Sequence, residues 1–157
     1  TSRQIMDERC KNYRNFGTKI KNLYRFIYEL SPSVILSETK DLDSSPSAQN
    51  DSDHPADKLI IEELNKTIQE VTKNLESFQL HLATETLYEF IWHKFADIYV
   101  EQSKSRRIEA QATLEHVFTT CLKLLHPFMP FLTENLWQKL EHKENSIMIT
   151  NWPYQID

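Results

Sequence analysis

The side chains best suited to binding chemistry are the basic and amide residues that crowd the first segment of the chain. No aspartate or glutamate occurs between positions 9 and 25, where the bases and amides are Arg9, Lys11, Asn12, Arg14, Asn15, Lys19, Lys21, Asn22 and Arg25. Cationic groups pair with phosphates, amides hydrogen-bond to base edges, and a nearby aromatic ring can stack on an unpaired base. The pattern favours RNA as a ligand, although any helix in water carries charge on its outer face.

Residue types that would support catalysis or metal binding lack the spacing that those functions need. No histidine follows a glutamate by three positions, which a di-iron bundle would require. The sequence has no HExxH motif, no P-loop, no Gly-rich fingerprint and no Gly-x-Ser-x-Gly elbow. Glu89 and His93 are one helical turn apart and indicate a solvated face or a local hydrogen bond. We therefore predict no catalytic and no metal-binding residues in this chain.

The net charge of −5 hides an uneven distribution of charge. Residues 1–30 hold seven Lys or Arg against three acids, whereas residues 31–57 hold one lysine against six acids. A basic first segment indicates a polyanionic partner. Residues 31–57 are rich in Ser, Asp and Pro, and this composition predicts a mobile acidic insertion.

The elements that must position these side chains are predicted to be helices. A single glycine in 157 residues disfavours sheets with tight hairpins. Apolar residues recur at spacings of three and four in segments near 3–30, 55–78, 82–103, 108–126 and 130–140. We predict one all-α domain over residues 1–157, an up-and-down bundle of four long helices plus a short fifth.

This topology has two consequences for the first helix. Its apolar stripe, which should face the core, is Tyr13, Phe16, Ile20, Leu23 and Ile27. The first and third helices should run parallel, so the basic residues at 104, 106 and 107 should lie beside the end of the first helix.

Composition also bears on compartment. No apolar run is long enough to cross a membrane, and Cys10 and Cys121 form neither a disulfide framework nor a zinc motif. Buried free thiols in a reducing cytoplasm are the expectation. The chain begins at Thr1 without a methionine, and we expect it to be a piece of a longer protein.

Four stretches resemble the valyl-tRNA synthetases, which are class I enzymes. Residues 124–137 read Leu-Leu-His-Pro-Phe-Met-Pro-Phe-Leu-Thr-Glu-Asn-Leu-Trp and are similar to a signature of that family. Residues 13–20 with Arg25-Phe26 resemble its Arg-Asn-Phe-x-x-Lys opening helix, although Lys21 stands where the family usually has tryptophan. Residues 87–99 also agree, as do the Ser-Ile-Met triplet at 146–148 and the Trp-Pro pair at 152–153.

The resemblance implies an anticodon-binding domain whose parent charges tRNA with valine, using ATP and Mg. It implies the anticodon arm of valine tRNA and the catalytic domain of the same polypeptide as partners, with no cofactor in this fragment. The catalytic motifs His-Ile-Gly-His and Lys-Met-Ser-Lys-Ser are absent from these residues. By the same resemblance, the tRNA-binding residues are expected to be Arg14, Asn15, Phe16, Lys19, Asn22, Glu101 and Lys104.

Other roles follow from residue types, and other functions stay open. Buried tryptophan and histidine more often pack than bind ligand, so we assign His126, Phe131 and Trp137 to structure. Arg14 and Lys19 should both be exposed. The alternatives are the corresponding domain of an isoleucyl- or leucyl-type synthetase, and a helical interaction module without RNA; a catalytic or metal bundle is remote.

Overall fold

The computed structural model describes residues 2–29, 54–140 and 144–154, with side chains described from Lys11 onward. The regular elements within these ranges are all helices. The α-helices are α1 Ser2–Tyr24, α2 Pro55–Glu76, α3 Leu80–Glu89, α4 Val100–Ser103, α5 Arg107–Leu125 and α6 Pro130–Trp137. π-Helical turns extend α1 through Arg25–Glu29 and join α3 to α4 through Phe90–Tyr99. Residues 80–103 therefore form one continuous helix, which we call the third rod. The predicted all-α fold is confirmed.

The orientation of α1 and the third rod is set by their side-chain contacts. Phe16 meets the ring of Tyr88, and three residues later Lys19 meets Asp97. Because both sequence numbers rise together, the two helices run parallel, as predicted. The guanidinium of Arg107, at the start of α5, lies over the ring of Phe26 near the end of α1. The turn after the third rod thus lies beside the end of α1.

The core is built from the apolar stripes that the sequence predicted. Ile20 and Ile27 of α1 and Phe90, Phe95 and Phe118 are almost fully buried. Burial of such a side chain contributes about 1.5–3 kcal/mol relative to exposure. Cys121 is a buried free thiol, as expected, whereas the side chain of Cys10 lies outside the described residues.

The first part of α1 projects beyond the body of the bundle. All residues from Lys11 to Asn15 are exposed, and five consecutive residues cover more than one full turn of helix. Contact with the body begins near Gly17, where a Cβ added to the glycine would lie 3.6 Å from the end of the Met129 side chain. Tyr13, predicted to face the core, is instead 65% exposed. The prediction was wrong because the helical periodicity of α1 continues further than the surface on which it packs.

Residues 31–53 of the predicted acidic insertion lie outside the described residues. The last residues of that segment belong to the bundle instead. Pro55 occupies the first turn of α2, where its missing N–H costs nothing, and His54 Nδ1 accepts a hydrogen bond from the Ala56 N–H at 3.2 Å. Asp57, which the sequence analysis placed in the mobile acidic insertion, is buried. A buried hydrogen-bond network, which sequence composition cannot show, holds it there.

This network ties the start of α2 to the end of the third rod. The Tyr99 hydroxyl donates to Asp57 Oδ1 at 2.6 Å, and Arg106 donates to both carboxylate oxygens. Burial alone would raise the pKa of Asp57, but the hydrogen bonds from Arg106 and Tyr99 outweigh it and hold that pKa below its usual value. Burial and the neighbouring carboxylate raise the pKa of Tyr99. We call this part of the molecule, around Asp57, Tyr99, Arg106 and Arg107, the closed end.

The last described segment packs back onto the bundle. It includes a 3₁₀ turn at Ile147–Ile149. Glu134 accepts hydrogen bonds from the Gln138 amide, the Ser146 hydroxyl and the Ile147 N–H, and these bonds lower its pKa below the usual value. Trp152 Nε1 donates to the Thr72 hydroxyl at 2.9 Å. In the described part of the chain, no helix is long and apolar enough to cross a membrane.

Candidate nucleic-acid interface

Three of the predicted contact residues are exposed along α1. Arg14 and Asn15 lie on its projecting part, and Asn22 lies two turns further along. Arg14 was expected to be exposed, and this is confirmed. These side chains present a guanidinium and two amides to solvent, which can bind phosphates and the edges of bases.

The side chain of Lys19 is less exposed than its position on a basic helix predicted, and it is paired with a carboxylate. Its side chain is 29% exposed, and Nζ lies 2.7 Å from Asp97 Oδ1. The same ammonium group lies over the ring of Trp92, 5.1 Å from the centroid. The expectation of full exposure was wrong, because α1 crosses the third rod here and brings a carboxylate and an indole against the lysine. A phosphate that approached Lys19 would compete with Asp97.

Phe16 lies in the core rather than on the outer face. Its ring centroid is 5.1 Å from that of Tyr88 and 6.4 Å from that of Trp92. A ring in this position cannot stack on a base unless the helices separate. The geometry favours a supporting role, in which Phe16 backs the two aromatic residues of the third rod.

Tyr88 and Trp92 form the aromatic surface of this region. Both are half-buried, and their rings are stacked with centroids 5.5 Å apart and planes 16° from parallel. We call the stacked pair Tyr88 and Trp92 the aromatic ladder. Phe16 lies behind this pair, and the ammonium group of Lys19 lies over the indole. Sequence reasoning did not select Tyr88 and Trp92 as site residues. The available signal was their spacing of four, which places two aromatic rings on one face of a helix.

Charged groups flank the aromatic ladder on the third rod. His93 lies 3.8 Å from Glu89 and 3.6 Å from Asp97, and all three side chains are exposed. The predicted solvated face at Glu89 and His93 is therefore confirmed, and at 3.8 Å the two side chains are too far apart for the alternative, a hydrogen bond. Among the residues that the structure describes, no group of three His, Cys, Asp or Glu side chains could hold a metal ion.

The second predicted contact region lies at the closed end. Glu101 and Lys104 are both exposed and form an ion pair at 2.7 Å. Arg106 is bound to the buried Asp57, so it offers no free charge to a ligand. Of the three basic residues near this turn, Lys104 alone is exposed rather than partly buried, and its charge is partly balanced by Glu101.

Arg107 is the third base of this turn, and it is partly buried. Its guanidinium lies 4.1 Å from the ring centroid of Phe26, which is a close cation–π contact. Burial lowers its pKa, and its Nε and Nη2 atoms have no hydrogen-bond partner among the described residues. The stacked arrangement suits a residue that fixes the end of α1 on α5.

The predicted contact residues thus form two groups and not one. Arg14 and Asn15 directly precede Phe16 on α1. Lys104 lies three residues before Arg107, whose guanidinium contacts Phe26 near the other end of the same helix. Twelve residues of helix separate Arg14 from Phe26, which corresponds to about 18 Å. The aromatic ladder and Lys19 lie between the two groups. We call this series of side chains, from Arg14 through the aromatic ladder to Lys104, the stripe.

Comparison with known proteins identifies the family of this chain. Residues 57–157 match the family described as "Anticodon-binding domain of tRNA ligase". The chain belongs to this family.

The relatives of this anticodon-binding domain are valine–tRNA ligases. That of Thermotoga maritima is 41% identical over 146 residues, which covers 90% of this chain and 16% of the relative. That of Carboxydothermus hydrogenoformans is 38% identical over 157 residues, which covers 93% of this chain and 16% of the relative. That of Bacillus anthracis is 35% identical over 154 residues, with 93% and 17% covered. The chain therefore spans about a sixth of the length of the relatives that it matches.

Proposed function

We propose that this anticodon-binding domain belongs to a valine–tRNA ligase and binds the anticodon arm of valine tRNA. The observation that carries the proposal is the exposed Arg14, Asn15 and Asn22 beside a half-buried aromatic ladder, in a chain whose relatives are valine–tRNA ligases. An unpaired anticodon base needs an aromatic or apolar surface and hydrogen-bonding groups at its edge. Both are present along α1 and the third rod.

The residues divide into roles according to their surroundings. Arg14 and Asn15, exposed on the projecting part of α1, contact the RNA directly in this proposal. Lys19 makes a cation–π contact with the indole of Trp92 and presents a charge that Asp97 partly neutralises. Phe16 supports the aromatic ladder from behind.

Contacts at the far end of the stripe are weaker in this proposal. The exposed Asn22 lies between the two groups. Glu101 and Lys104 contact the RNA at the closed end, where each is already engaged with the other. A phosphate can recruit Lys104 only by competing with Glu101, which reduces the net gain.

The parent protein supplies the chemistry in this proposal. It would use ATP to charge tRNA with valine in the cytoplasm, with ATP and Mg held by a catalytic domain of the same polypeptide. The two catalytic motifs of the family are absent from this sequence. The contribution of this domain is to position the tRNA.

The proposal is tested by titrating the full-length ligase with a hairpin that reproduces only the anticodon stem and loop. We expect the hairpin with the valine anticodon to bind more tightly than the same hairpin with an isoleucine or leucine anticodon. The affinity should fall steeply as the salt concentration rises, because binding to phosphates releases counterions. Equal binding of all hairpins would contradict valine specificity.

A matched pair of variants separates this surface from non-specific attraction. Arg14→Ala removes an exposed charge from α1, whereas Lys73→Ala removes an exposed charge from α2. The first should weaken hairpin binding and the second should leave it unchanged. If no hairpin binds even at low salt, the domain is instead an interaction module that does not use RNA.

A further inference from the structure

The turn between α2 and α3 contains a phenylalanine in an unusual backbone conformation. Phe78 has a φ of 57°, in the left-handed region that glycine normally occupies. Its N–H donates to the Leu75 carbonyl, and the Gln79 N–H donates to the Asn74 carbonyl at 2.8 Å. These two bonds form a Schellman motif with Phe78 at the position where glycine is most common.

Phe78 is also exposed to solvent over nearly all of its surface. Its exposed fraction is 89%, so in the described structure the ring gains little from packing. A left-handed residue with a Cβ costs about 1–2 kcal/mol relative to the usual conformation. A large aromatic that carries this cost without burial is poorly explained by the stability of the bundle alone.

A second exposed aromatic lies at the same end of the bundle. Phe131, expected to have a structural role, is 91% exposed at the start of α6, and Leu80 at the start of α3 is also exposed. The third rod and α6 both run parallel to α1, because Gly17 meets Met129 and Leu132 while Tyr24 meets Lys139. The starts of α3 and α6 therefore share one end. We call Phe78, Leu80 and Phe131 the aromatic end.

The charge of the aromatic end argues against RNA as its ligand. No lysine or arginine occurs between positions 74 and 93, or between positions 124 and 138. RNA-binding surfaces combine aromatic rings with a groove of positive charge. Exposed phenylalanine and leucine in segments that lack lysine and arginine are instead typical of the core of a protein–protein interface.

We infer that the aromatic end docks against the remainder of the parent ligase, an inference that rests on the proposed function. The relatives are about six times longer than this chain, so most of such a ligase lies outside it. α1 projects from the aromatic end, and the polypeptide that leads into α1 is tethered there. Tethering raises the effective concentration of that polypeptide near Phe78 and Phe131 without any further contact.

Hydroxyl-radical footprinting of the full-length, unaltered ligase tests the inference. Oxidation of each side chain is measured by mass spectrometry and scaled to its rate in the urea-unfolded ligase. Ile108 provides the matched control, because it is 75% exposed and lies at the closed end. We expect the scaled rates of Phe78 and Phe131 to be about tenfold below that of Ile108, because the core of an interface excludes water.

The other outcomes overturn the inference. Scaled rates of Phe78 and Phe131 equal to that of Ile108 would show that nothing covers the aromatic end. Protection that appears only when tRNA is added would show that RNA covers it, and protection lost on dilution would identify a second copy of the ligase. Binding of the anticodon hairpin is measured separately, so failure of the docking inference leaves the RNA proposal standing, and the reverse holds too.

Hydrogen exchange in a pair of variants of the full-length ligase gives a second test of the docking inference. Phe131→Ser should speed hydrogen exchange in the part of the ligase upstream of α1, because the docked face opens. Ile108→Ser should leave that exchange unchanged. Equal exchange in the two variants would contradict docking through Phe131.

Discussion

The two ends of this bundle treat their side chains in opposite ways. At the closed end, Asp57, Tyr99 and Arg106 bind one another and leave little for a ligand. At the aromatic end, Phe78 and Phe131 are exposed in the described structure. The first arrangement suits a stable joint between helices, and the second suits a surface that is completed by something else.

The difference also divides the predicted RNA contacts. Arg14 and Asn15 lie near the aromatic end, on the projecting part of α1, where all described side chains from Lys11 to Asn15 are exposed. Glu101 and Lys104 lie near the closed end and are paired with each other. Similar residue types therefore differ in how much binding they can contribute. The predictions below test this division, beginning with the largest expected effect.

Removal of the charge of Asp57 should cause the largest loss of stability. Asp57→Asn leaves Arg106 as a buried charge without its carboxylate, and breaking such a pair costs about 3–5 kcal/mol. Urea denaturation of the chain at neutral pH measures the change. A loss below about 1 kcal/mol would show that the pair contributes no more than a surface ion pair.

The same variant predicts a change in pH dependence. The folded-state pKa of Asp57 lies below its unfolded value, so its contribution is complete above the unfolded pKa, about 4. The contribution is lost as pH falls through the lower, folded pKa. The stability difference between the natural chain and Asp57→Asn should therefore shrink below about pH 4. A difference that stayed constant down to pH 2 would contradict the assignment.

Arg14 should matter more for RNA binding than Lys104. Arg14→Ala should weaken binding of the anticodon hairpin about tenfold and lower its salt slope by about 1, because a free charge is lost. Lys104→Ala should change affinity about twofold or less, since Glu101 already balances that charge. Titrations of both variants at several salt concentrations measure this. Equal losses would remove the distinction between the two ends.

Phe78→Gly should stabilise the chain. Glycine adopts the left-handed conformation without strain, so we expect a gain of about 1 kcal/mol and a Tm about 2–4 °C higher. Phe78→Ala is the matched control, because it removes the ring but keeps the strain. In the full-length ligase the gain should disappear, as the ring is then lost from the docked surface. Stabilisation of the same size in both proteins would argue against docking.

Asp97→Asn should give the smallest effect, and in the direction of tighter binding. The change frees Lys19 from its ion pair while preserving the shape of the side chain. We expect hairpin affinity to rise about two- to threefold, in line with the modest energies of exposed ion pairs. Weaker binding would indicate that Asp97 itself contacts the RNA.

Most of the fold was predictable from apolar spacing, whereas the site was predictable only in part. The stripe of Phe16, Ile20 and Ile27 fixed which face of α1 is buried, because a helix has one period and must bury its apolar side. That period does not show where the neighbouring helices end. Tyr13 keeps the spacing of the stripe and is nevertheless exposed, since no helix lies opposite it in the described structure.

The sequence by itself determined an all-α bundle, the basic character of α1 and, through its motifs, the family. These follow from local periodicity, composition and short-range spacing. Only the tertiary structure decided which charges are free, because the partners of Lys19 and Arg106 are 78 and 49 residues away along the chain. It also decided that Phe131 is exposed and that Phe78 adopts a left-handed conformation. Contacts between distant residues decide which of these charges and rings are covered, whereas the conformation of Phe78 belongs to the local hydrogen bonds of its turn.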